Sequence, residues 1–313
     1  MKRVPWWGWL AIALITVFAG HFLLRFPWRE TLVVLAATNG PLLVAAALIN
    51  LTSFIFKGWA WQLLLKPVAP VRWRTAQEAL FVGSAVNNIA VSVSGEAARV
   101  HIVMQRDGVP AGAAIASVIW SRIVEGMSLA IFLVAFSWFF ELPGWMRMLR
   151  LALAIAFGVL FLVMRLRLWP QLSARLPERL RLLLRPVFAV AGGAHLGWPI
   201  ILCLCNWLAE WLTFHLAILA TGAPIPYAVS LVALVFANIG GIPRVTPANI
   251  GILQASIIVG MLPFGIPEER AAAAGVALQA VQVFPVIGVA LLLTGWKGLR
   301  SLMRSSATAV SSA

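Results

Sequence analysis

Apolar runs of about twenty residues, the length a membrane-spanning helix needs, follow one another along this chain with short polar stretches between them. On that pattern residues 6–24, 42–65, 111–140, 149–164, 200–220 and 271–294 are expected to cross a bilayer, the last of them kinked at Pro285. Residues 32–37 are apolar but stop at Asn39, Gly40 and Pro41, which predicts a short helix in the outer leaflet. Residues 165–186 set Leu166, Leu168, Leu172, Leu176 and Leu180 among arginines, the pattern of a helix lying in the membrane surface. The small residues of 305–313 predict a disordered tail, leaving 1–304 as a single integral membrane domain.

Two runs break this pattern in the same way. One holds Asn87, Asn88, Ser94, Gly95, Glu96 and Arg99; the other holds Asn238, Pro243, Arg244, Thr246, Pro247, Asn249, Gly251 and Gln254. Each is flanked by apolar helix-forming sequence, so each is expected at membrane depth. Non-helical backbone survives there only where protein or a wet cavity satisfies its hydrogen bonds. Residues 80–106 read as a re-entrant pair entering from the inner side, and 226–260 as one entering from the outer side. A break in each half, reached from opposite faces, is the arrangement of an inverted repeat around a substrate path. The fold class expected is therefore all-α: a polytopic helical bundle of about six full spans plus two re-entrant or broken helical elements, each either a hairpin or a pair of kinked spans.

Composition agrees. Of 313 residues 62% are hydrophobic and only 11% charged, where soluble domains are about half apolar and a quarter charged. No soluble module of any size is expected, which excludes catalysis in an appended globular domain. The net charge is +14, and its placement explains it. Lys2, Arg3, Lys66, Arg72, Arg74, Arg106, the arginines of 165–185, Lys297, Arg300 and Arg304 fall on one side, against Arg25, Arg29, Arg147, Arg150 and Arg270 on the other. That bias places both termini in the cytoplasm, in a bacterial inner membrane. Because the basic residues edge the apolar spans, nucleic-acid binding is not expected. Most of the 15 tryptophans, Trp59 and Trp61 included, are expected as interfacial anchors. Cys203 and Cys205 sit on different sides of one helix and are not expected to pair. No set of Cys, His, Asp and Glu has metal-ligand spacing, and no cofactor is expected.

The ionisable residues inside apolar sequence are the candidate chemistry. Ser94 and Gly95 read as a helix start, with the Ser94 oxygen available as cap and Glu96 in the favoured first turn. Glu96 and Arg99, three apart, share a face. They are either a polar cluster receiving a lipid phosphate, with Arg99 as its ligand, or a capped helix with a local ion pair. Arg122 and Glu125 repeat the spacing, as a structural pair or as counter-charges for Glu96, Arg99 or a substrate. Arg244 has no carboxylate near it in sequence and must pair with another helix, snorkel or bind an anion; an anion or a distant glutamate is the favoured account. Asn249 and Gly251 open a helix toward Gln254. Glu210 is an intramembrane acid with Asn206 one turn before it; a helix–helix hydrogen bond is the simpler account. Lys57 is expected to snorkel to the surface, and His215 lies off the face of Glu210.

Asn87, Ser94-Gly95-Glu96 and Arg99, followed by Arg106 and then Ser117, Ser121, Arg122 and Glu125, together with Pro243, Pro247, Asn249, Gly251 and Gln254, resemble the motifs of the lysylphosphatidylglycerol synthase transmembrane-domain family of flippase-like membrane proteins. The resemblance covers nearly the whole chain. It implies a membrane module handling lipids, fused in some members to a cytosolic aminoacyltransferase and in others tied to hopanoid, glycolipid or polyprenyl-linked pathways. It implies that Glu96 and Arg99 match the family's acid-and-arginine pair, Arg122 its arginine after an acid, and Asn249 to Gly251 its glycine-rich turn. Ser121 and the region of Gln254 depart from it, since the family commonly has glutamate there; both departures weaken proton coupling.

The expected partners are membrane lipids with anionic or glycosylated head groups, and a lipid-modifying enzyme. A head group would cross between the two broken elements along Asn87, Asn88, Ser94, Arg99, Arg244 and Asn249 while its acyl chains stay in lipid. The rival is an enzyme or its membrane subunit. It needs a positioned base, and Glu96, Glu125 and Glu210 have no histidine at helical spacing on their faces. A coupled transporter of a small solute and a non-transporting assembly subunit are the remaining alternatives.

Overall fold

The computed structural model describes residues 28–89, 94–136, 138–140, 144–165, 196–222, 225–242 and 246–311. All regular structure among them is helical. In chain order the α-helices are α1 (Trp28–Ala36), α2 (Gly40–Leu65), α3 (Trp73–Ile89), α4 (Ser94–Asp107), α5 (Ala111–Phe136), α6 (Gly144–Arg165), α7 (Gly197–Ala220), α8 (Tyr227–Gly240), α9 (Ile252–Met261) and α10 (Glu268–Ser311). A 3-10 turn at Pro247–Asn249 lies between α8 and α9. The expected span at 6–24 and the surface stretch at 166–186 lie outside the described residues, as does Arg244.

Four of these helices are long and apolar enough to cross a membrane: α2, α5, α7 and residues Glu268–Gly295 of α10. The return span expected at 149–164 falls within α6, which begins earlier, takes Arg147 and Arg150 into its first turns and is not one of those four. The short outer helix is α1. It ends where the Asn39 side chain accepts a hydrogen bond from the Leu42 amide at 3.1 Å, capping α2, with Pro41 where its missing N–H is not needed. α10 keeps helical dihedrals through Pro285 and leaves them at Gly295, where φ is 66°. The break falls there because glycine enters the left-handed region freely. The helix then runs on to Ser311, into the segment expected to be disordered.

Both sequence breaks become helical hairpins, α3–α4 and α8–α9. In the first, the backbones touch: a Cβ on Gly95 would strike the Gly83 carbonyl and the Asn87 side chain, and one on Gly83 would meet the Gly95 carbonyl and Arg99. Small residues at such a crossing let helices approach closely where lipid offers no hydrophobic drive. The open end of this hairpin is clamped by Arg72 on Asp107 at 2.8 Å and Arg106 on Glu78 at 2.6 Å. In the second hairpin Gly260 packs on Ala233 and Phe236, and Gly240 on Ser256.

The hairpins enter from opposite ends of the bundle. The Asn39 amide, before α2, donates to the Ala220 carbonyl at the end of α7 at 2.9 Å, and Thr213 reaches the Ala46 carbonyl. Farther along, Ala60 and Leu64 pack with Leu202 and Cys203. α2 and α7 are thus antiparallel. The first hairpin follows the Leu65 end of α2, and the second follows the Ala220 end of α7. Lengths repeat as well: α2 to α5 have 26, 17, 14 and 26 residues, and α7 to α9 have 24, 14 and 10 before long α10.

Each hairpin carries its own apolar core. Trp61, Leu65, Val82, Val86, Ile102 and Val103 pack around α3–α4, and Trp211, Phe214, Leu231, Leu234, Ile257 and Leu278 around α8–α9. Several tryptophans expected at the interface are therefore inside: Trp61 and Trp120 are fully buried, and Trp207 and Trp211 nearly so. Burial is tolerable because indole N–H groups find acceptors. Trp61 donates to Ser117 at 3.0 Å, Trp207 to the Glu125 carbonyl at 2.9 Å and Trp211 to Ser230 at 3.1 Å. Cys203 and Cys205 carry no disulfide.

Candidate functional site

Between the two apolar cores lies a cavity of about 700 Å³ whose walls mix polar side chains with apolar ones such as Phe54, Leu80 and Val118. α2 contributes Asn50, Ser53 and Lys57; the first hairpin Ser84, Asn87, Asn88, Glu96 and Arg99; α5 Arg122; α7 Asn206 and Glu210. The second hairpin adds Asn238, Thr246, Ala248 and Asn249, and α10 adds Gln279 and Gln282. These positions fall in the middle of each long helix. At 1.5 Å per residue α2 is about 39 Å long, and Asn50 to Lys57 occupy roughly 15 to 25 Å of it. The cavity therefore sits near mid-membrane depth. At its rim Ile119 and Ile242 are 38% and 75% exposed, so apolar side chains frame a charged interior.

The charges form a chain. Lys57 Nζ lies 3.1 Å from Glu125, which also pairs with Arg122 at 3.1 Å. The other branch of Arg122 meets Glu96 at 2.6 Å, and Glu96 accepts a hydrogen bond from Asn87 Nδ2 at 3.1 Å. One network thus ties α2, α3, α4 and α5 together. Lys57 does not snorkel; a carboxylate within reach and a buried helix face hold it in the cavity wall. Arg99, only 3% exposed, lays its guanidinium over the Trp61 ring, 4.3 Å from the centroid. Stacking of this kind offsets part of the desolvation of a buried cation.

The helix start at Ser94 is as expected, but its cap comes from across the hairpin. Asn87 Oδ1 accepts the Gly95 amide at 2.8 Å, while Ser94 Oγ is buried with no hydrogen-bond partner. The close Gly83–Gly95 crossing brings Asn87 within reach.

The second tip is held by two glutamines. Gln254 Oε1 accepts the Gly251 amide at 2.7 Å, its Nε2 approaches Gln279 Oε1 at 3.5 Å, and Gln279 Nε2 donates to the Ala248 carbonyl at 2.7 Å. Ala248 and Asn249 both sit at left-handed φ, 50° and 54°. Asparagine accepts that region and alanine does not without strain, so the tertiary bonds impose it. Since Gln254 takes the Gly251 amide, that part of the α9 start is not offered to the cavity.

Of the candidates, Asn87, Asn88, Glu96, Arg99, Arg122, Glu210 and Asn249 meet in the cavity wall. Ser94, Glu125, Gly251 and Gln254 stand behind it as supports. Arg244 lies outside the described residues. Glu210 is in hydrogen-bond contact with Asn238. His215 is turned away, with Nδ1 3.1 Å from Ser230 Oγ in the second core. Asn50, Ser53, Gln279 and Gln282 were not picked out from sequence, and Lys57 was read there only as a snorkelling lysine. Their signal was a polar stripe at helical spacing (Asn50, Ser53, Lys57; Gln279, Gln282) inside otherwise apolar spans. Among the described residues no group of three His, Cys, Asp or Glu is placed to hold a metal ion.

The model of one protein family, described as the lysylphosphatidylglycerol synthase TM region, matches residues 7–290. No curated protein matches the chain.

Proposed function

Because the chain belongs to the lysylphosphatidylglycerol synthase transmembrane-region family, we propose that this multi-pass membrane protein translocates a lipid whose anionic or glycosylated head group passes through the cavity between the hairpins. The observation that carries the reading is a charge-lined space of about 700 Å³ at mid-depth in a bundle of long apolar helices. A head group in hydrocarbon loses its hydration, and an unpaired charge there is strongly disfavoured. Lys57, Arg99 and Arg122 supply cations, and the amide side chains supply hydrogen bonds that replace water. Glu96 and Glu125 keep the cations balanced; a phosphate at Arg122 exchanges one carboxylate partner for another anion, a smaller cost than creating a bare pair. Ile119 and Ile242 at the rim suit acyl chains that remain in lipid.

The membrane we propose is the bacterial inner membrane, with the Leu65 end of α2 cytoplasmic. Lys66, Arg72, Arg74 and Arg106 cluster at that end, which follows the positive-inside bias and puts both termini in the cytoplasm. The family's description favours a second reading, a membrane subunit presenting lipid to a modifying transferase.

Reconstitution separates the two. In liposomes with fluorescent phosphatidylglycerol, dithionite bleaching of the inner-leaflet label should run faster with protein than without. Arg99→Ala and Arg122→Ala should each slow it at least about tenfold, the effect of losing one charge-assisted contact of 1.5–3 kcal/mol. Bleaching at the parent rate in both variants would refute the path. A folded parent that moves no lipid would leave the transferase-subunit reading in its place.

A further inference from the structure

Two of the glutamates near the cavity are ion-paired and one is not. Glu96 meets Arg122, and Glu125 meets Lys57 and Arg122. Among the described residues no cation lies within ion-pair distance of Glu210. Glu210 is half-buried in the cavity wall, about 20 Å along α7 and so at mid-depth. A carboxylate there is costly unless it is paired, hydrated or neutralised by a proton. Its hydrogen-bond contact is Asn238 on α8, an amide that suits both of its forms. Asn238 Nδ2 gives one hydrogen to the Leu234 carbonyl at 2.9 Å; the other can bond a carboxylate, and Oδ1 can accept from a carboxylic acid. Glu210 can therefore gain or lose a proton and stay bonded to α8.

The ionisable groups around it are few. α2 carries only Lys57, and α5 only Arg122 and Glu125; all three act on Glu210 through their charge. Because those cations are bound to Glu96 and Glu125, much of their field on Glu210 is cancelled. Glu96 and Arg99 line the same space from the first hairpin. α10 has no ionisable group between Arg270 and Lys297, and α8 none beyond Tyr227 at its start. On α7 itself His215 is bonded to Ser230 in the second core, and Cys203 lies two turns away in an apolar cluster. Arg244 is outside the described residues. An anionic head group adds one negative charge to this space. At an effective dielectric of about 20, like charges roughly 10 Å apart disfavour one another by on the order of tenfold. A proton on Glu210 removes that conflict.

Resting on the reading of this cavity as the site of an anionic head group, we infer that Glu210 takes a proton from water when the lipid enters and returns it when the lipid leaves. The proton adds to one carboxylate oxygen and no other covalent bond changes. The proton is then a co-substrate, and lipid movement is linked to the proton gradient across the membrane. Ser121 and Gln254 take no part. Binding is tightest at low pH, where Glu210 is already neutral, and weakens as pH rises; the phosphodiester stays ionised throughout.

Isothermal titration calorimetry of the purified full-length protein in detergent tests this without requiring movement. With phosphatidylglycerol as the probe, buffers of different ionisation enthalpy count the protons taken up per lipid. At the steepest part of the pH profile the uptake should be at least about half a proton, and affinity should fall by about tenfold across the transition. Glu210→Gln, neutral at every pH, should take up none and hold the low-pH affinity of the parent throughout. Difference infrared spectra should show a protonated carboxyl stretch that appears with lipid in the parent and is absent from Glu210→Gln. Should that variant not fold, Glu210→Asp keeps the carboxyl group and should shift the band; an unshifted band overturns the assignment. Binding without proton uptake overturns the inference and leaves the head-group reading intact. Uptake that persists in Glu210→Gln places the proton elsewhere and also overturns it. A folded parent that binds no phosphatidylglycerol overturns both.

Discussion

Glu125 shows how much one side chain can carry at this depth. It is 7% exposed and faces two cations, Lys57 and Arg122, each at 3.1 Å. Neutralising it leaves both without that anion in a region of low dielectric, and breaking a buried pair from one side typically costs 3–5 kcal/mol. Since the Arg122 side chain is 42% exposed, solvent screens part of the loss. Glu125→Gln should therefore destabilise the protein by about 2–3 kcal/mol, read as a lowered midpoint of thermal unfolding in detergent. Adding Lys57→Met should recover part of it, because the second change removes one uncompensated cation. Additive losses would mean that the two groups are not coupled. The Arg122–Glu125 spacing was readable along the chain. The Lys57–Glu125 pair was not, since only packing brings residues so far apart in sequence to hydrogen-bond distance.

At the level of elements, the two hairpins are built by opposite means. The first depends on an absence of side chains: Gly83 and Gly95 let α3 and α4 touch, and Asn87 then caps α4 across the gap. Gly95→Ala has nowhere to put its methyl group without parting the helices, so it should lower stability by more than the about 1 kcal/mol expected for loss of the Asn87 cap alone in Asn87→Ala. Thermal unfolding of the two variants side by side checks the order. The second tip depends instead on side chains that hold a strained backbone. Ala248→Gly relieves the left-handed alanine and should raise stability by up to about 1 kcal/mol, partly offset by the greater freedom of glycine when unfolded. Gln279→Leu should act the other way by freeing the Ala248 carbonyl. If Ala248→Gly destabilised the protein instead, its φ of 50° would not be a source of strain. Both breaks were visible as polar and Gly/Pro runs, and the start of α4 at Ser94 was legible. The source of its cap was not, because a cap supplied by another helix leaves no local pattern.

Over the whole molecule, the hairpins point toward each other from opposite ends, and the turn at Pro247–Asn249 packs against α3. This arrangement makes a topological prediction. With Cys203 and Cys205 replaced by serine, Arg74→Cys at the base of the first hairpin and Glu268→Cys after the second should be labelled by a membrane-impermeant maleimide from opposite sides of oriented vesicles. Labelling of both from one side would exclude inverted insertion. It would also remove the geometric reason for a cavity at mid-depth, because tips entering from one face would not meet there.

Hydrophobic length and two interrupted runs were enough to determine an all-helical membrane protein with two broken elements, since each of those features is local and bounded by the thickness of the bilayer; that each break folds as a hairpin and not as a pair of kinked spans was left to the packing. The family motifs added the class of protein for the same reason: they are short and contiguous. What only the tertiary structure decided is which polar groups share one space. Lys57, Asn206, Gln279 and Gln282 come from three separate spans, and each by itself is a tolerable polar residue in an apolar helix. Their meaning depends on the rotation and crossing of those helices, which is set by packing across the bundle and not by the order of residues along the chain.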